Sequence, residues 1–218
     1  MSMNYDEAVA FLNNVLTDDV PWCDAPIVNP EFDNNDIRSR VKIGWYVFAG
    51  GYVSSDKDAY PNCQGVVGFI NDDPNAEKGN RVKVVLRHQK YFIKWCEKEI
   101  YTNVTDDDNG RENTRRLLEF GKKAGVKFPA MEFAQNYAFD GVKPGEAYVP
   151  ARDELKELSK NSYIINEVLR KIDGSFDDWQ WSTSEYGNYT VWHVYSGNGI
   201  VSNYHKNLSG AVSCLLAY

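Results

Sequence analysis

The residues with the greatest capacity for recognition chemistry lie near the end of the chain. Residues 186–207 are unusually rich in tyrosine, histidine, serine and asparagine. Aromatic rings give large contact areas with few rotatable bonds to freeze, and serine and asparagine add adaptable hydrogen bonds. This mixture predicts a ligand-binding patch, with ordinary polar loop residues as the alternative. We predict that the patch consists of Tyr186, Asn188, Tyr189, His193, Tyr195, Asn198, Ile200, Ser202, Tyr204 and His205.

Motifs for catalysis are missing from the sequence. The three histidines, His88, His193 and His205, are too few and too scattered to indicate a metal site. No HExxH, Walker, GxSxG or strand-following GxGxxG motif occurs. A pair of carboxylates assembled in space, as in glycosidases, stays open because sequence spacing does not reveal it. We therefore expect a protein that is not an enzyme and that uses no cofactor.

Two other features could hold a metal ion, and neither has the required spacing. Residues 105–110, TDDDNG, are rich in oxygen ligands, but the glycine and the closing glutamate of an EF-hand loop are out of register. A turn with an aspartate or asparagine helix cap is the better prediction. Four cysteines form no CxxC pair, which favours buried or free thiols over a zinc site. They are Cys23, Cys63, Cys96 and Cys214.

A β-hairpin is the element that must position most of the predicted patch. Two alternating segments, 192–196 and 200–204, flank Asn198-Gly199, a dipeptide suited to a two-residue turn. That turn would pair Ser196 with Val201, Tyr195 with Ser202 and His193 with Tyr204. Alternation then puts Trp192, Val194 and Val201 on a core face, with Ser196 and Asn203. His193, Tyr195, Ile200, Ser202 and Tyr204 share the opposite, ligand-facing side.

The scaffold around this hairpin combines strands and helices. Strands are predicted at residues 41–48, 52–54, 65–70 and 81–87, and helical segments at 111–124, 128–139, 150–158 and 162–172.

The order of several motifs resembles a bacterial and phage domain family. The matching segments are YVPARDELKEL (148–158), WSTSEY (181–186), VWHV (191–194), a glycine-bearing turn, Lys206 and the final LLAY (215–218). Upstream, GVVGFI (65–70) and DNGRENTRRL (108–117) also match. These segments resemble the C-type-lectin-like domains related to formylglycine-generating enzymes. That group includes Lcl-type C-terminal domains and the variable proteins of diversity-generating retroelements.

The resemblance covers residues 41–218 and implies an α+β fold of the C-type-lectin-like type, with antiparallel sheets and two main helices. On this fold the strands of the first half and the C-terminal strand are expected to join one antiparallel sheet, with two helices packed beside it. It further implies a rigid scaffold that displays a diversified patch on the C-terminal hairpin. The chain departs from the family pattern at Ser213-Cys214, where Arg-Pro is usual, and at Ser196, where an aromatic residue is usual. The paired cysteines of the enzymatic relatives and the sugar-binding calcium motifs of lectins do not occur.

Charge and the N-terminal segment bear on partners and location. The net charge of -7 argues against nucleic-acid binding, which relies on neutralising phosphates. No apolar run suggests a membrane span or a signal peptide. Residues 1–40 are predicted to form a separate arm, a short helix with a connector, which packs on its own domain or docks on another subunit. A homo-oligomer is left open.

Three functions remain after these arguments. The first is a phage virion protein, in a tail or decorating a capsid, that is made in the host cytoplasm and attaches to a host-cell surface protein or glycan. In that setting the arm of residues 1–40 would contact other virion subunits. The second is a bacterial surface or pilus-tip adhesin. The third and weakest is an enzyme of the formylglycine-generating kind.

Overall fold

Five strands from the first half and the end of the chain form the first sheet. The computed structural model describes Arg38 and residues 41–77 and 79–218. The strands of this sheet are β1 (Tyr46–Phe48), β2 (Val53–Ser54), β3 (Cys63–Ile70), β4 (Val82–Leu86) and β10 (Leu215–Ala217). Their order is β10-β4-β3-β1-β2, and every neighbouring pair is antiparallel. The predicted union of the first-half strands with the C-terminal strand is confirmed.

The second sheet carries most of the C-terminal region. Its strands are β5 (Lys90–Lys94), β6 (Trp179–Glu185), β7 (Thr190–Tyr195), β8 (Val201–His205) and β9 (Ser209–Val212). They lie in the order β5-β9-β6-β7-β8. The pairs are antiparallel except for β6 with β9, which run parallel at Gln180 and Ala211. The predicted hairpin is therefore β7–β8, at one edge of this sheet.

Four helices connect and cover the sheets within the described residues. They are α1 (Gly110–Ala124), α2 (Pro129–Gln135), α3 (Arg152–Lys160) and α4 (Ser162–Arg170). The Asn109 side chain accepts from the Glu112 amide and so caps α1, which confirms the capped turn predicted after Asp106. Pro129 occupies the first turn of α2, where its missing N–H has no helical partner to lose.

The first sheet is buried on both sides. On one side, valines of β3 and β4 pack with α1, α2 and Trp95 in one core cluster. On the other side, Phe48 and Val85 pack with α3 and α4 in a second cluster. Leu155 and Leu158 of α3 are fully buried there, as their helical spacing predicts. Burial on both faces explains why β3 and β4 are nearly continuous apolar runs.

The predicted α+β class is confirmed, and the finer fold assignment remains a prediction. Two mainly antiparallel sheets and four helices are present in the described part of the chain, where the resemblance implies two main helices. The four helical segments predicted from apolar spacing correspond to α1–α4. The predicted arm of residues 1–40 and Cys23 lie outside the described residues, apart from Arg38. Cys63, Cys96 and Cys214 are free thiols.

Candidate functional site

The β7–β8 hairpin has a longer loop than Asn198-Gly199 alone predicts. Val194 pairs with Val201 and His193 with Ser202, so the predicted pairing of His193 with Tyr204 is wrong by two residues. The Tyr195 amide donates to the Ile200 carbonyl and closes a four-residue loop over residues 196–199.

Contacts outside the hairpin explain the longer loop. The Ser196 amide donates to the Asp178 carbonyl at 3.1 Å, and the Ser162 hydroxyl donates to the Gly197 carbonyl at 3.1 Å. These bonds hold residues 196–197 against the start of β6 and the start of α4. Both residues are therefore kept out of the β7–β8 ladder, and a two-residue slip leaves the alternation of faces unchanged.

The two faces of the second sheet separate as predicted, but their burial does not follow the prediction. One face, called the cleft face because a cleft opens above it, carries Trp179, Trp181, His193, Tyr195, Ser202 and Tyr204. The opposite face, called the helix face, carries Gln180, Ser182, Trp192, Val194, Val201 and Asn203. Val194 is fully buried against α3. Trp192, expected in the core, is only half-buried beneath Tyr186 and Arg152. His193, expected at the surface, is 7% exposed.

Aromatic rings explain why His193 is buried. Trp181 is fully buried, and its ring centroid lies 4.6 Å from that of His193. Tyr204 stacks on His193 at 5.5 Å with an interplanar angle of 17°. The ring centroid of Trp179 lies 5.3 Å from that of His193 and 5.6 Å from that of Tyr195. These five rings form an aromatic cluster in which the imidazole is enclosed while Tyr195 and Tyr204 keep 38% and 40% of their surface exposed.

The imidazole of His193 is held neutral and in one tautomer. Its Nε2 lies 2.7 Å from the Trp179 carbonyl oxygen, which only accepts, so Nε2 carries the proton and Nδ1 remains an acceptor. Burial lowers the pKa of His193 to about 4, because desolvation disfavours the charged form more than the carbonyl favours it. At neutral pH the cluster therefore contributes no positive charge.

A cleft opens above the aromatic cluster. Its volume is about 390 Å³. Side chains of Asp178, Trp179, His193, Ser202, Tyr204 and Ser209 line it, with Gly210 and Ala211 of β9. A Cβ atom on Gly210 would stand 2.8 Å from the Trp181 ring, so only glycine leaves that indole its place. Trp181 Nε1 donates to the Ile93 carbonyl at 2.8 Å, which fixes the ring beneath the cleft.

The ten predicted ligand residues do not form one patch. His193, Tyr195, Ser202 and Tyr204 lie on the cleft face, and the exposed Ile200 follows the loop beside them. The other five lie elsewhere. Tyr186 packs against Trp192 on the helix face, Asn188 and Tyr189 lie in the β6–β7 loop, Asn198 is in the hairpin loop, and His205 contacts Glu99.

A buried ion pair anchors the β6–β7 loop. Lys206 Nζ contacts the Glu185 carboxylate, and both side chains are fully buried. Lys206 also donates to the carbonyls of Ile100 and Asn188 at 2.8 and 3.1 Å, and Glu185 accepts from the Thr102 amide at 3.0 Å. The charges are therefore paired and hydrogen-bonded, as buried charges must be. This network fixes residues 186–189 next to the end of β8.

Sequence reasoning missed several residues that build the cleft. Trp179 and Trp181 stand two positions apart, a spacing that puts both rings on one face of a strand, and this signal could have added them. Asp178 and Gly210 carry no such signal. Asp178 reaches the cleft because its backbone adopts a left-handed conformation, with φ of 75°. Gly210 reaches it through the parallel pairing of β9 with β6.

Comparisons with known proteins give a likeness of fold and no match in sequence. No protein-family model matches the chain, and no curated protein matches it in sequence. Among solved structures, the chain is similar to a fimbrial protein from Bacteroides ovatus, with a TM-score of 0.63 and 18% sequence identity. The alignment covers 82% of this chain and 49% of that protein, so the chain spans about half of its neighbour's length. At this identity the likeness concerns the fold alone.

Two further observations describe the chain beyond the cleft. In residues 41–77 and 79–218, no three histidine, cysteine, aspartate or glutamate side chains group closely enough to hold a metal ion. None of the described helices has the length and apolar character needed to cross a membrane. The cleft itself offers aromatic faces, hydroxyl groups and one carboxylate to a ligand.

Proposed function

We propose that this protein is a non-catalytic ligand-binding protein that attaches to a cell-surface protein or glycan through the cleft face. The observation that carries the proposal is the concentration of exposed aromatic side chains in one part of the chain. Of twelve large hydrophobic residues exposed in the described structure, six lie within residues 186–208. Four of these six are tyrosines, and two of the four, Tyr195 and Tyr204, lie on the cleft face.

Exposed apolar side chains support a role in binding when they cluster. On a folded protein, clustered apolar groups mark interaction sites more often than scattered ones do. Tyr195 and Tyr204 lie on strands rather than in a loop, and their rings rest on Trp179 and His193. They are therefore held in position before a ligand arrives, which reduces the entropy lost on binding.

A bacterial surface adhesin, such as a fimbrial component, is the setting we propose first. It is supported by the similarity in fold to a fimbrial protein. A phage virion receptor-binding protein with a C-type-lectin-like fold is the second candidate. It is supported by the motifs at residues 148–158, 181–186 and 191–194, which resemble retroelement variable proteins. An immunoblot of purified fimbriae and purified phage particles from the source culture distinguishes the two settings.

A cell-attachment assay with the purified protein tests the proposed function. Tyr195→Ala and Tyr204→Ala should each weaken attachment about thirtyfold, since an aromatic anchor is often worth about 2 kcal/mol in binding. Tyr163→Ala is the matched control, because Tyr163 is 80% exposed on α4 and does not line the cleft. It should attach like the natural protein.

Thermal melting must accompany this assay. Both cleft variants should keep a melting temperature close to that of the natural protein, so that lost attachment reports on contact rather than on folding. Equal attachment by all three variants and the natural protein would contradict the use of the cleft face for recognition.

A further inference from the structure

We propose that the cleft binds one neutral pyranose ring of a glycan. This inference rests on the proposed function and specifies its ligand class. A pyranose has an apolar face of C–H bonds and a rim of hydroxyl groups, so its recognition requires an aromatic platform with hydrogen-bonding groups at the edge. The cleft supplies both.

The platform is the exposed ring of Tyr204, which stacks on the enclosed imidazole of His193. The rings are nearly parallel, at 17°, and Tyr204 is 40% exposed. The ring centroid of Trp181 lies 5.8 Å from that of Tyr204 and 4.6 Å from that of His193. This buried indole therefore supports both rings from beneath. Sugar C–H bonds carry a small positive charge, which the negative face of an aromatic ring attracts.

The edge groups are a carboxylate and two hydroxyls. Asp178 Oδ1 accepts from the Trp179 amide at 2.7 Å, which leaves Oδ2 to accept from a ligand. Ser202 and Ser209 are exposed at the cleft, and each hydroxyl both donates and accepts. Acceptors predominate, which suits a ligand rich in O–H donors.

The backbone at Asp178 supports a role in binding. A φ of 75° is unfavourable for a residue with a side chain, although aspartate tolerates it better than most. The conformation is maintained because the Ser196 amide donates to the Asp178 carbonyl. As a result the carboxylate stands at the rim of the cleft.

Charge decides between neutral and acidic sugars. No lysine or arginine lines the cleft, and Asp178 is its one charged side chain. The imidazole of His193 is neutral above its pKa of about 4. A sialylated or sulfated ring would therefore meet a carboxylate with no compensating cation, on a chain of net charge -7. The volume of about 390 Å³ lies near the lower end of the range for ligand sites, which suits a single ring.

The test measures binding of four methyl glycosides, those of glucose, galactose, mannose and N-acetylglucosamine, with sialyllactose as the acidic probe. Ligand-observed NMR and tryptophan fluorescence are both suitable, since two indoles lie at the cleft. At least one neutral glycoside should bind saturably and more tightly than sialyllactose. Tyr204→Ala should weaken that binding about tenfold, the equivalent of one lost stacking contact. Tyr163→Ala should leave it unchanged.

Asp178→Asn gives a second variant that keeps the fold. Asparagine also tolerates positive φ, and its side-chain oxygen accepts from the Trp179 amide as the carboxylate does. Only the charge and one acceptor are lost, so binding of the neutral glycoside should fall while the melting temperature stays constant. Unchanged binding by this variant would overturn the assignment of Asp178 as an edge group.

The outcomes separate this inference from the proposed function. If no neutral glycoside binds, or if sialyllactose binds more tightly, the pyranose proposal is overturned. If Tyr204→Ala nevertheless abolishes attachment to cells, the cleft face still serves recognition and a protein ligand replaces the glycan. If neither glycosides nor cells respond to Tyr204→Ala, both proposals are wrong.

Discussion

The two faces of the second sheet bury their side chains by different means. On the helix face, Val194 is fully buried because it packs in one cluster with Leu155 and Leu158 of α3. On the cleft face, large rings cover one another, and Tyr195 and Tyr204 remain partly exposed. One face therefore depends on a helix for its burial and the other on its own aromatic residues. The cleft face is therefore held rigid by contacts between its rings while part of its aromatic surface stays exposed.

Breaking the buried ion pair between Lys206 and Glu185 should have the largest effect on stability. Lys206→Met leaves the Glu185 carboxylate buried without its cation, which should lower the free energy of unfolding by about 3–5 kcal/mol. Chemical denaturation measures this loss. Replacing both residues, with Lys206→Met and Glu185→Leu, should restore part of the stability because no unpaired charge remains.

An exposed pair of the same type provides the control. Lys160 lies 2.6 Å from Glu157, and its side chain is 66% exposed. Lys160→Met should cost less than about 1 kcal/mol, since exposed ion pairs contribute little. Equal losses for Lys160→Met and Lys206→Met would mean that the buried pair is solvated in the folded protein.

Low pH should destabilise the folded protein because the buried imidazole of His193 resists protonation. Its pKa is about 4 in the folded protein, because of burial, against about 6.5 for a free imidazole. Between these values the unfolded chain binds more protons, so stability is full above pH 6.5 and falls as the pH drops toward 4. The contribution lost at pH 4 is about 3 kcal/mol. Denaturation midpoints measured from pH 7 to pH 4 report it.

A glutamine variant isolates this contribution from the many carboxylates that titrate in the same range. In His193→Gln the side-chain amide still donates to the Trp179 carbonyl but takes up no proton in this range. His88 and His205 are common to both proteins, and their effects cancel in the comparison. Parallel stability curves for the natural protein and His193→Gln would contradict the enclosure of the imidazole.

Gly210→Ala tests whether the cleft face has room to adjust. The added methyl group would stand 2.8 and 2.9 Å from Trp181 Cε2 and Nε1, too close for an unchanged ring. We expect a loss of about 1–3 kcal/mol, the usual cost of overpacking, and a shift of tryptophan fluorescence. Gly125→Ala is a poor control because Gly125 has a positive φ of 63°. Gly187→Ala is better, since its new Cβ would lie 4.0 Å from the nearest atom, in Thr190.

The sequence predicts the division of the hairpin into two faces and fails to predict how each face is covered. The alternation of Trp192, His193 and Val194 establishes the division, because successive side chains on a strand point to opposite sides. Covering depends on α3 and on Trp181, which are distant from β7 in sequence or on another strand. An aromatic residue on a strand therefore indicates either a core or a binding surface until its neighbours are known.

Other features follow the same division between local and distant causes. The Asn109 cap, Pro129 and the buried leucines of α3 depend on residues within one or two helical turns, and they were predicted. The four-residue hairpin loop depends on hydrogen bonds to the Asp178 carbonyl and from the Ser162 hydroxyl, and it was not predicted. The position of Asp178 in the cleft likewise depends on its own left-handed backbone and on Ser196.

The smallest effect provides the most direct test of the comparison between the faces. Val194 and Tyr195 are neighbours on β7, one fully buried against α3 and the other 38% exposed. Val194→Ala should cost about 2 kcal/mol because the methyl groups removed leave a cavity that α3 does not fill. Tyr195→Ala should cost less than about 1 kcal/mol, although it removes a far larger side chain. Denaturation of the two variants under one condition measures the difference, and a greater loss for Tyr195→Ala would mean that the exposed ring supports the sheet rather than a ligand.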